Sequence, residues 1–273
     1  MKILNKKILA VMFFLAFSFQ LSAFSCSAEE ITILYTGETH SMLYPCNCPK
    51  EPDGGVARRA SLVKKIREDY PLALLLDSGS FFAAGVMDNY SQNTQLDMDR
   101  TTINLKAMEL IGYDAVTIGS DEFNFGKEFF KELISKTKLN FLSCNLKSDK
   151  VIPFVIKDYA GVKIGIIGAT DILTRQKSEG IEVDEPKDCI EESVRELESK
   201  GVNLIVLLSH LGEAQDLELL KEAKGIDIVI SGNSRLKNEA SEKIGDTLIL
   251  RPSWEGRRLG KLTFTAEDGR IKD

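Results

Sequence analysis

The chain has 273 residues, of which 43% are hydrophobic and 28% charged, an ordinary globular composition with enough apolar residues for one sizeable core or at most two small ones. Its 35 Lys and Arg against 41 Asp and Glu give a formal net charge of −6. This acidic balance provides no concentrated Lys/Arg surface for a phosphate backbone, so we expect no nucleic-acid partner.

The first 28 residues have the pattern of a secretory signal. Three lysines precede an apolar stretch over residues 8–21, and small residues follow up to Ala28. This stretch is too short to span a bilayer comfortably, so we predict cleavage after Ala28, export to the periplasm or another extracytoplasmic space, and no transmembrane segment. A lipid tether at Cys26 is the alternative, which Phe24 and the missing leucine of a lipobox disfavour.

Strand and helix patterns alternate along the rest of the chain. Continuous apolar runs predict buried strands, and apolar residues at helical spacing predict helices. In chain order the predicted elements are a strand 31–35, a helix 56–68, a strand 72–76, a helix 99–111, a strand 115–118, a helix 127–136, a strand 140–143, a hairpin 154–159/162–168, a helix 186–200, a strand 204–208, a helix 214–223, a strand 226–230 and closing antiparallel strands 247–250 and 260–265. Asp184 is the predicted cap of the helix at 186. The alternation predicts a layered α/β sandwich.

Both histidines of the chain lie just past a predicted buried strand. His40 follows the strand 31–35 and His210 follows the strand 204–208. A lone histidine is more often a structural residue, but ligands in such folds gather beyond the carboxyl ends of the strands. We therefore expect His40 and His210 to share one site with Glu38.

Six segments resemble, in order, motifs of the metallophosphoesterase domain of the 5′-nucleotidase/UDP-sugar hydrolase family. They are TGETH (36–40), GGVARR (54–59), LLLDSGS (74–80), GYDAVTIGSDE (112–122), SHLG (209–212) and ISGNSR (230–235). The resemblance implies a metallophosphoesterase-like α/β fold of two mixed β-sheets flanked by helices. It also implies that residues 29–273 form a single domain, without the family's separate C-terminal nucleotide-binding domain.

The resemblance implies a site for two metal ions, where this chain departs from the family pattern. Glu38, His40 and His210 fall at ligand positions and are the candidate metal ligands. Ser80 falls where the family has a carboxylate that bridges both ions. Two adjacent cations repel strongly, and a bridging carboxylate normally offsets this repulsion, so we expect no dinuclear centre.

Other positions of the implied site are also altered. Ser120, Asn233 and Arg235 stand at further ligand positions, and we predict that they line the substrate pocket with Ser80. Asp121 stands at the position of the catalytic histidine and is the candidate catalytic acid. These changes predict that two-metal phosphoesterase activity is absent or very weak.

A Cys-x-Cys pair lies in the loop before the first predicted helix. Cys46 and Cys48 are enclosed by Pro45 and Pro49, which stiffen the loop. Thiolates are soft ligands for metals such as Zn or Cu, and neighbouring thiols exchange with disulfides. We predict that the pair joins His40 around one divalent or soft metal ion (Zn, Cu or Mn) or acts as a catalytic thiol pair with a redox partner. An inert structural disulfide is the alternative.

Two functions stay open. The residues of the site favour a non-hydrolytic thiol-redox or soft-metal protein, in a divergent cysteine branch of the family. The fold favours an exported hydrolase of nucleotide-type phosphoesters that uses an altered metal centre. Neither the residues of the site nor the fold identifies the small molecule that is bound. Cys144 follows another predicted strand, where we expect it to be a buried small hydrophobe rather than part of the site.

Overall fold

A computed structural model describes residues 29–50, 52–86, 88–159, 161–233, 241–267 and 270–271. The predicted signal segment 1–28 and the predicted pocket residue Arg235 lie outside the described residues. None of the helices in this part of the chain has the length and apolar character needed to cross a bilayer.

The described residues form five α-helices and thirteen strands. The helices are α1 (Val56–Asp69), α2 (Thr94–Ile111), α3 (Gly126–Ser135), α4 (Pro186–Ser199) and α5 (Glu213–Glu222). The strands are β1 (Glu29–Thr36), β2 (Leu74–Asp77), β3 (Ala115–Thr117), β4 (Phe141–Leu142), β5 (Val151–Ile152), β6 (Phe154–Tyr159), β7 (Val162–Thr170), β8 (Leu204–His210), β9 (Ile228–Ser231), β10 (Glu242–Ile244), β11 (Thr247–Leu250), β12 (Gly260–Glu267) and β13 (Arg270–Ile271).

The strands form two mixed sheets, as predicted. The first has the order β13-β12-β1-β2-β3-β4-β5, in which β1 to β5 run parallel and β12 pairs antiparallel with β1. The second has the order β10-β11-β9-β8-β7-β6, in which β11, β9, β8 and β7 are parallel. The carboxyl ends of the parallel strands in each sheet meet at one edge, which is where ligands bind in such folds.

Three apolar layers hold the sheets and helices together. Alternate residues of β1 point to opposite faces: Ile33 packs between the two sheets, and Leu34 packs under α1, α2 and α3. A third layer lies between the second sheet and the helices α4 and α5, where Leu197 is fully buried. The sheets touch closely at Gly168, because a Cβ there would lie 2.4 Å from the carbonyl oxygen of Leu142.

The structure corrects three local predictions. Helix α2 begins at Thr94 rather than at residue 99, because the Asn93 side chain accepts the Leu96 N–H at 3.1 Å and caps a polar first turn. Asp184 does not cap α4; it pairs with Lys147 instead, at 3.0 Å. Strand β11 is antiparallel to β10 but parallel to β9, so the closing strands are not a simple antiparallel pair.

A disulfide joins Cys144, after β4, to Cys189 in α4, with their Cα atoms 5.6 Å apart. The expectation that Cys144 is a buried small hydrophobe is therefore wrong. Cys144 is half-buried, and its N–H donates to the Gly168 carbonyl in the opposite sheet at 2.8 Å. This contact between the sheets places the thiol within bonding distance of α4, which packs on the second sheet.

Candidate functional site

The strand ends bring seven of the residues predicted for the site to one edge of the sandwich. They are Glu38 and His40 after β1, Ser80 after β2, Ser120 and Asp121 after β3, His210 at the end of β8, and Asn233 after β9. A cavity of about 230 Å³ lies among them and is lined by all of these except His210, which lies directly behind Ser80. Three larger grooves, of about 560, 430 and 380 Å³, contain none of the residues predicted for the site.

His40 is buried between two carboxyl groups and an aromatic ring. Its Nε2 lies 3.5 Å from a Glu38 oxygen, and its Nδ1 lies 3.4 Å from an Asp121 oxygen. The Trp254 ring lies 5.0 Å from the imidazole, centroid to centroid. Arg100 fixes the backbone of His40 by donating a hydrogen bond to its carbonyl oxygen at 3.0 Å. Among the described residues neither ring nitrogen of His40 has a hydrogen-bond partner, so the imidazole is held by its backbone and by packing against these groups.

His210 is completely enclosed and contacts Ser80. The Ser80 Oγ lies 2.9 Å from His210 Nε2, and the other ring nitrogen lies 3.7 Å from a Glu38 oxygen. Burial lowers the pKa of His210 to about 4, although the charge of Asp121 acts in the opposite direction. The imidazole is therefore neutral near pH 7.

Glu38 lies between the two histidines. Burial raises its pKa well above the usual value, although the Asn233 N–H donates to its Oε1 at 2.6 Å and favours the charged form. The Asn233 side chain in turn donates to Asp171 at 3.3 Å. Glu38, Asn233 and Asp171 therefore join the ends of β1, β9 and β7.

Asp121 has a cation beside it. Lys177 Nζ lies 3.1 Å from Asp121 Oδ1 and 3.0 Å from Asn124 Oδ1. Burial alone would raise the pKa of Asp121, but His40 and Lys177 together hold it below its usual range. Asp121 is therefore ionised and carries an ammonium partner from the protein itself.

The backbone of the site is strained. Glu38, His40, Ser80 and Asn233 all have left-handed φ angles, of 50°, 42°, 55° and 52°. Residues other than glycine adopt such angles at a cost, and they concentrate at functional sites. Hydrogen bonds from the Glu38 N–H to the Gly79 carbonyl and from the His40 N–H to the Ser80 carbonyl, both 2.9 Å, hold two of these residues in place.

The dinuclear metal centre implied by the resemblance does not fit these residues. Ser80 presents a hydroxyl that is already hydrogen-bonded to His210, and Lys177 places a positive charge on Asp121. In the described part of the chain, no group of three or more His, Cys, Asp and Glu side chains is arranged to hold a metal ion. Both ring nitrogens of His40 and one of His210 are buried without hydrogen bonds, which suits at most an ion different from the implied pair.

The two cysteines of the loop do not line this cavity. Cys46 is buried, and its thiol donates to the Asp53 carboxylate at 3.1 Å and accepts the Asp53 N–H at 3.3 Å. Cys48 is exposed, and a hydrogen bond with Cys46 raises the pKa of its thiol. The loop closes on itself, because the Cys46 N–H donates to the Asp53 carbonyl at 2.8 Å, and the association of the pair with His40 stays a prediction.

Three residues of the cavity did not stand out in the sequence. Asp171 directly follows β7, so the rule that singled out the histidines at strand ends also applies to it. Lys177 comes from the short helical segment after Asp171 and has no motif around it. Trp254 reaches the cavity from a turn before β12, far along the chain.

Comparison with known proteins gives consistent matches. The chain is 30% identical to a snake venom 5′-nucleotidase from Naja atra over 75% of this chain and 41% of that protein. Its fold matches a 5′-nucleotidase precursor from Thermus thermophilus with a TM-score of 0.74 and 24% identity, covering 90% of this chain and 53% of that one. It also matches the calcineurin-like phosphoesterase YfkN from Bacillus subtilis with a TM-score of 0.70 and 22% identity, covering 90% and 88%.

These relatives are mostly longer than this chain, which spans less than half of the venom protein. A scan against models of known protein families finds no match. The two structural matches share the arrangement of sheets and helices and, at this identity, show the fold alone.

Proposed function

We propose, from the premise that this chain belongs to the metallophosphoesterase family of the 5′-nucleotidases, that it is an exported member that has lost two-metal phosphoester hydrolysis. The observation that carries this proposal is the pair of contacts made by Ser80 and Asp121. The Ser80 side chain is hydrogen-bonded to His210, and the Asp121 side chain is ion-paired with Lys177. Both positions are thus engaged by the protein's own side chains.

Electrostatics supports this proposal. Two divalent cations need negative charge between them, and the neutral hydroxyl of Ser80 supplies none. The ammonium of Lys177 lies 3.1 Å from Asp121 and would repel a cation beside that carboxylate. Asp121 is also unable to act as a general acid, since its carboxyl group has a depressed pKa and remains ionised.

The mature protein is therefore expected to bind fewer than two metal ions and to hydrolyse nucleotides far more slowly than an ordinary enzyme. The measurement is metal analysis after incubation with Mn, Zn or Co, followed by turnover of AMP and bis-p-nitrophenyl phosphate. We expect rates well below about 1 per second, the lower end of the usual enzyme range. The venom 5′-nucleotidase, assayed in parallel, serves as the positive control. Two bound ions with rates within the usual range would contradict the proposal.

A second candidate function is hydrolysis of nucleotide-type phosphoesters with a single, altered metal centre. The unsatisfied nitrogens of His40 and His210 favour it, because a buried imidazole nitrogen is normally paired or bound to a metal. The same assay distinguishes the two candidates. One tightly held ion per chain, with turnover that disappears on chelation, would support the altered centre.

We also propose that Cys46 and Cys48 act as a dithiol, in the divergent branch of the family that the Cys-x-Cys pair suggests. The supporting observation is their mutual hydrogen bond, which holds the two sulfurs together although it raises the pKa of the Cys48 thiol, with Asp53 accepting from Cys46. The exposed Cys48 would attack a partner's disulfide, Cys46 would resolve the mixed disulfide, and the partner would leave as a dithiol.

Thiol titration tests this second activity. With the Cys144–Cys189 disulfide intact and Cys46 and Cys48 reduced, the folded protein is expected to show two reactive thiols towards an aromatic disulfide reagent, the exposed Cys48 reacting first. The Cys46→Ser/Cys48→Ser variant should lose both while its circular dichroism spectrum stays unchanged. Cys48→Ser alone is the matched control and should leave one slow thiol. A double variant that reacts like its parent would rule the pair out as the reactive group.

A further inference from the structure

We propose that Ser80, His210 and Glu38 form a metal-independent catalytic set that hydrolyses small, uncharged acyl esters through Ser80. This activity goes beyond the loss of two-metal hydrolysis proposed above. Ser80 would be the nucleophile and His210 the general base, with Glu38 as the group that positions the imidazole. The first observation is the 2.9 Å contact between Ser80 Oγ and His210 Nε2, a distance suited to direct proton transfer.

The orientation of His210 is set by two glycines. A Cβ on Gly119 would lie 1.8 Å from His210 Cδ2, and a Cβ on Gly79 would lie 3.1 Å from the ring. The imidazole therefore packs directly against backbone at two strand exits, β2 and β3. Such packing fixes the ring plane, and with it the direction of Nε2 towards Ser80.

Glu38 stands on the other side of the same ring. Its Oε1 lies 3.7 Å from His210 Nδ1 and is held by the Asn233 N–H at 2.6 Å. That distance is longer than a hydrogen bond, as is common in enzymes without bound substrate, where such contacts tighten on binding. The order hydroxyl, imidazole, carboxyl is the arrangement that activates serine nucleophiles on unrelated folds.

The backbone at Ser80 also resembles that of a nucleophile. Ser80 lies three residues after the end of β2 at Asp77, has a left-handed φ of 55° and lines the cavity. Strained turns at the end of a strand expose the serine oxygen to substrate in other hydrolases. Glu122 holds this turn by accepting the Phe81 N–H at 2.8 Å, so that N–H is not available to a developing oxyanion.

The charges of the cavity point to the substrate class. Among the described residues, three carboxyl side chains, from Glu38, Asp121 and Asp171, line the cavity together with the ammonium of Lys177. Lys177 is already ion-paired with Asp121 at 3.1 Å, so this lining offers a phosphate dianion no unpaired ammonium or guanidinium, whereas the carbonyl of an acyl ester carries no charge. The volume of about 230 Å³ suits a short acyl group.

The reaction balances without a metal or redox partner. Ser80 Oγ attacks the acyl carbon as its proton passes to His210 Nε2, and the leaving alcohol takes that proton when the ester C–O bond breaks. Water then attacks the acyl-serine and gives a proton to His210 Nε2. That proton returns to Ser80 Oγ as the carboxylic acid departs.

A fluorophosphonate probe tests the assignment on the metal-free mature protein in EDTA. We expect one adduct per chain by intact mass, located on Ser80 by peptide sequencing, and acetate release from p-nitrophenyl acetate. Ser80→Ala should give no adduct, and His210→Gln should react at least about 100-fold more slowly. Ser61→Ala, which changes an exposed serine of α1 that bonds only its own helix, is the matched control and should label like the parent.

The proposed role of Glu38 is tested by measuring labelling kinetics that a purely structural residue would leave unchanged. In Glu38→Gln we expect the maximal labelling rate to fall about tenfold or more while the probe concentration for half-maximal rate stays the same. No labelling of a folded parent, labelling of Ser80→Ala, or labelling that requires added metal would each overturn the proposal. Metal-dependent nucleotide turnover would instead contradict the loss of two-metal hydrolysis, so the two failures are distinguishable.

Discussion

Gly119→Ala is expected to lower the free energy of unfolding by about 3 kcal/mol or more and to abolish labelling of Ser80. An added Cβ would lie 1.8 Å from His210 Cδ2 and 2.0 Å from Nε2. Such overlap cannot be relieved by a flexible side-chain end, because His210 is itself enclosed at the end of β8. The ring must shift, and the 2.9 Å contact with Ser80 is then lost.

Gly161→Ala separates this steric effect from backbone strain. Gly161 has a φ of 87°, but a Cβ there would meet no heavy atom within 4 Å. Its cost should therefore be limited to the left-handed backbone, about 1–2 kcal/mol. Denaturant unfolding of both variants measures the difference. If Gly119→Ala is no less stable than Gly161→Ala and still labels at Ser80, the packing described for His210 does not control the site.

The strands and the shared position of the site could be predicted from sequence for one physical reason. Buried parallel strands need continuous apolar runs, and polar side chains just after such runs gather at one sheet edge. His40 and His210 therefore come together although 170 residues separate their positions in the chain. The predicted start of α2 and the predicted cap of α4 were wrong, because whether Asn93 or Asp184 caps a helix depends on which partners lie near its side chain.

Other features of the site had no local signal. Lys177 reaches Asp121 only because the segment after β7 crosses the strand ends, which depends on the packing of both sheets. The Cys-x-Cys loop carries a clear motif, but a sequence motif does not determine where its side chains point in the fold. The Asp53 contacts close the loop around Cys46 instead of placing it in the cavity. The family motifs identified the fold, whereas the roles of Ser80 and Asp121 depend on their spatial contacts, which no local sequence pattern predicts.

Breaking the Cys144–Cys189 disulfide should lower the stability of the fold substantially without altering the side chains of the site. The bond closes a loop of 45 residues, for which chain entropy alone gives a contribution of about 4 kcal/mol. In a chain of this size, a loss of that magnitude lowers the melting temperature by roughly 8–16 °C. The measurement is thermal unfolding of the oxidised protein, of the same sample with dithiothreitol, and of Cys144→Ser/Cys189→Ser.

Cys48→Ser is the matched control for this experiment, since Cys48 is exposed and outside the disulfide, and its effect should stay within about 0.5 kcal/mol. A parent that melts at the same temperature with and without reductant would contradict the predicted contribution. A sample whose Cys144 and Cys189 were never oxidised would also melt at the same temperature with and without reductant. The free thiols of the starting protein are therefore counted first. A disulfide found intact in the protein as isolated would also support the proposed export, because such bonds persist in oxidising compartments.

The position of this disulfide links stability to the cavity. Cys144 follows β4 of the first sheet, and Cys189 belongs to α4, which packs on the second sheet through Leu197 against Gly165. The bond therefore ties together the two sheets whose strand ends form the site. The next residue, Asn145, accepts the Thr170 N–H at 2.9 Å just before Asp171 enters the cavity. Because that hydrogen bond does not involve sulfur, the reduced protein below its melting temperature should label at Ser80 at the parent rate. A slower rate in folded, reduced protein would mean that the bond also holds the site in its geometry.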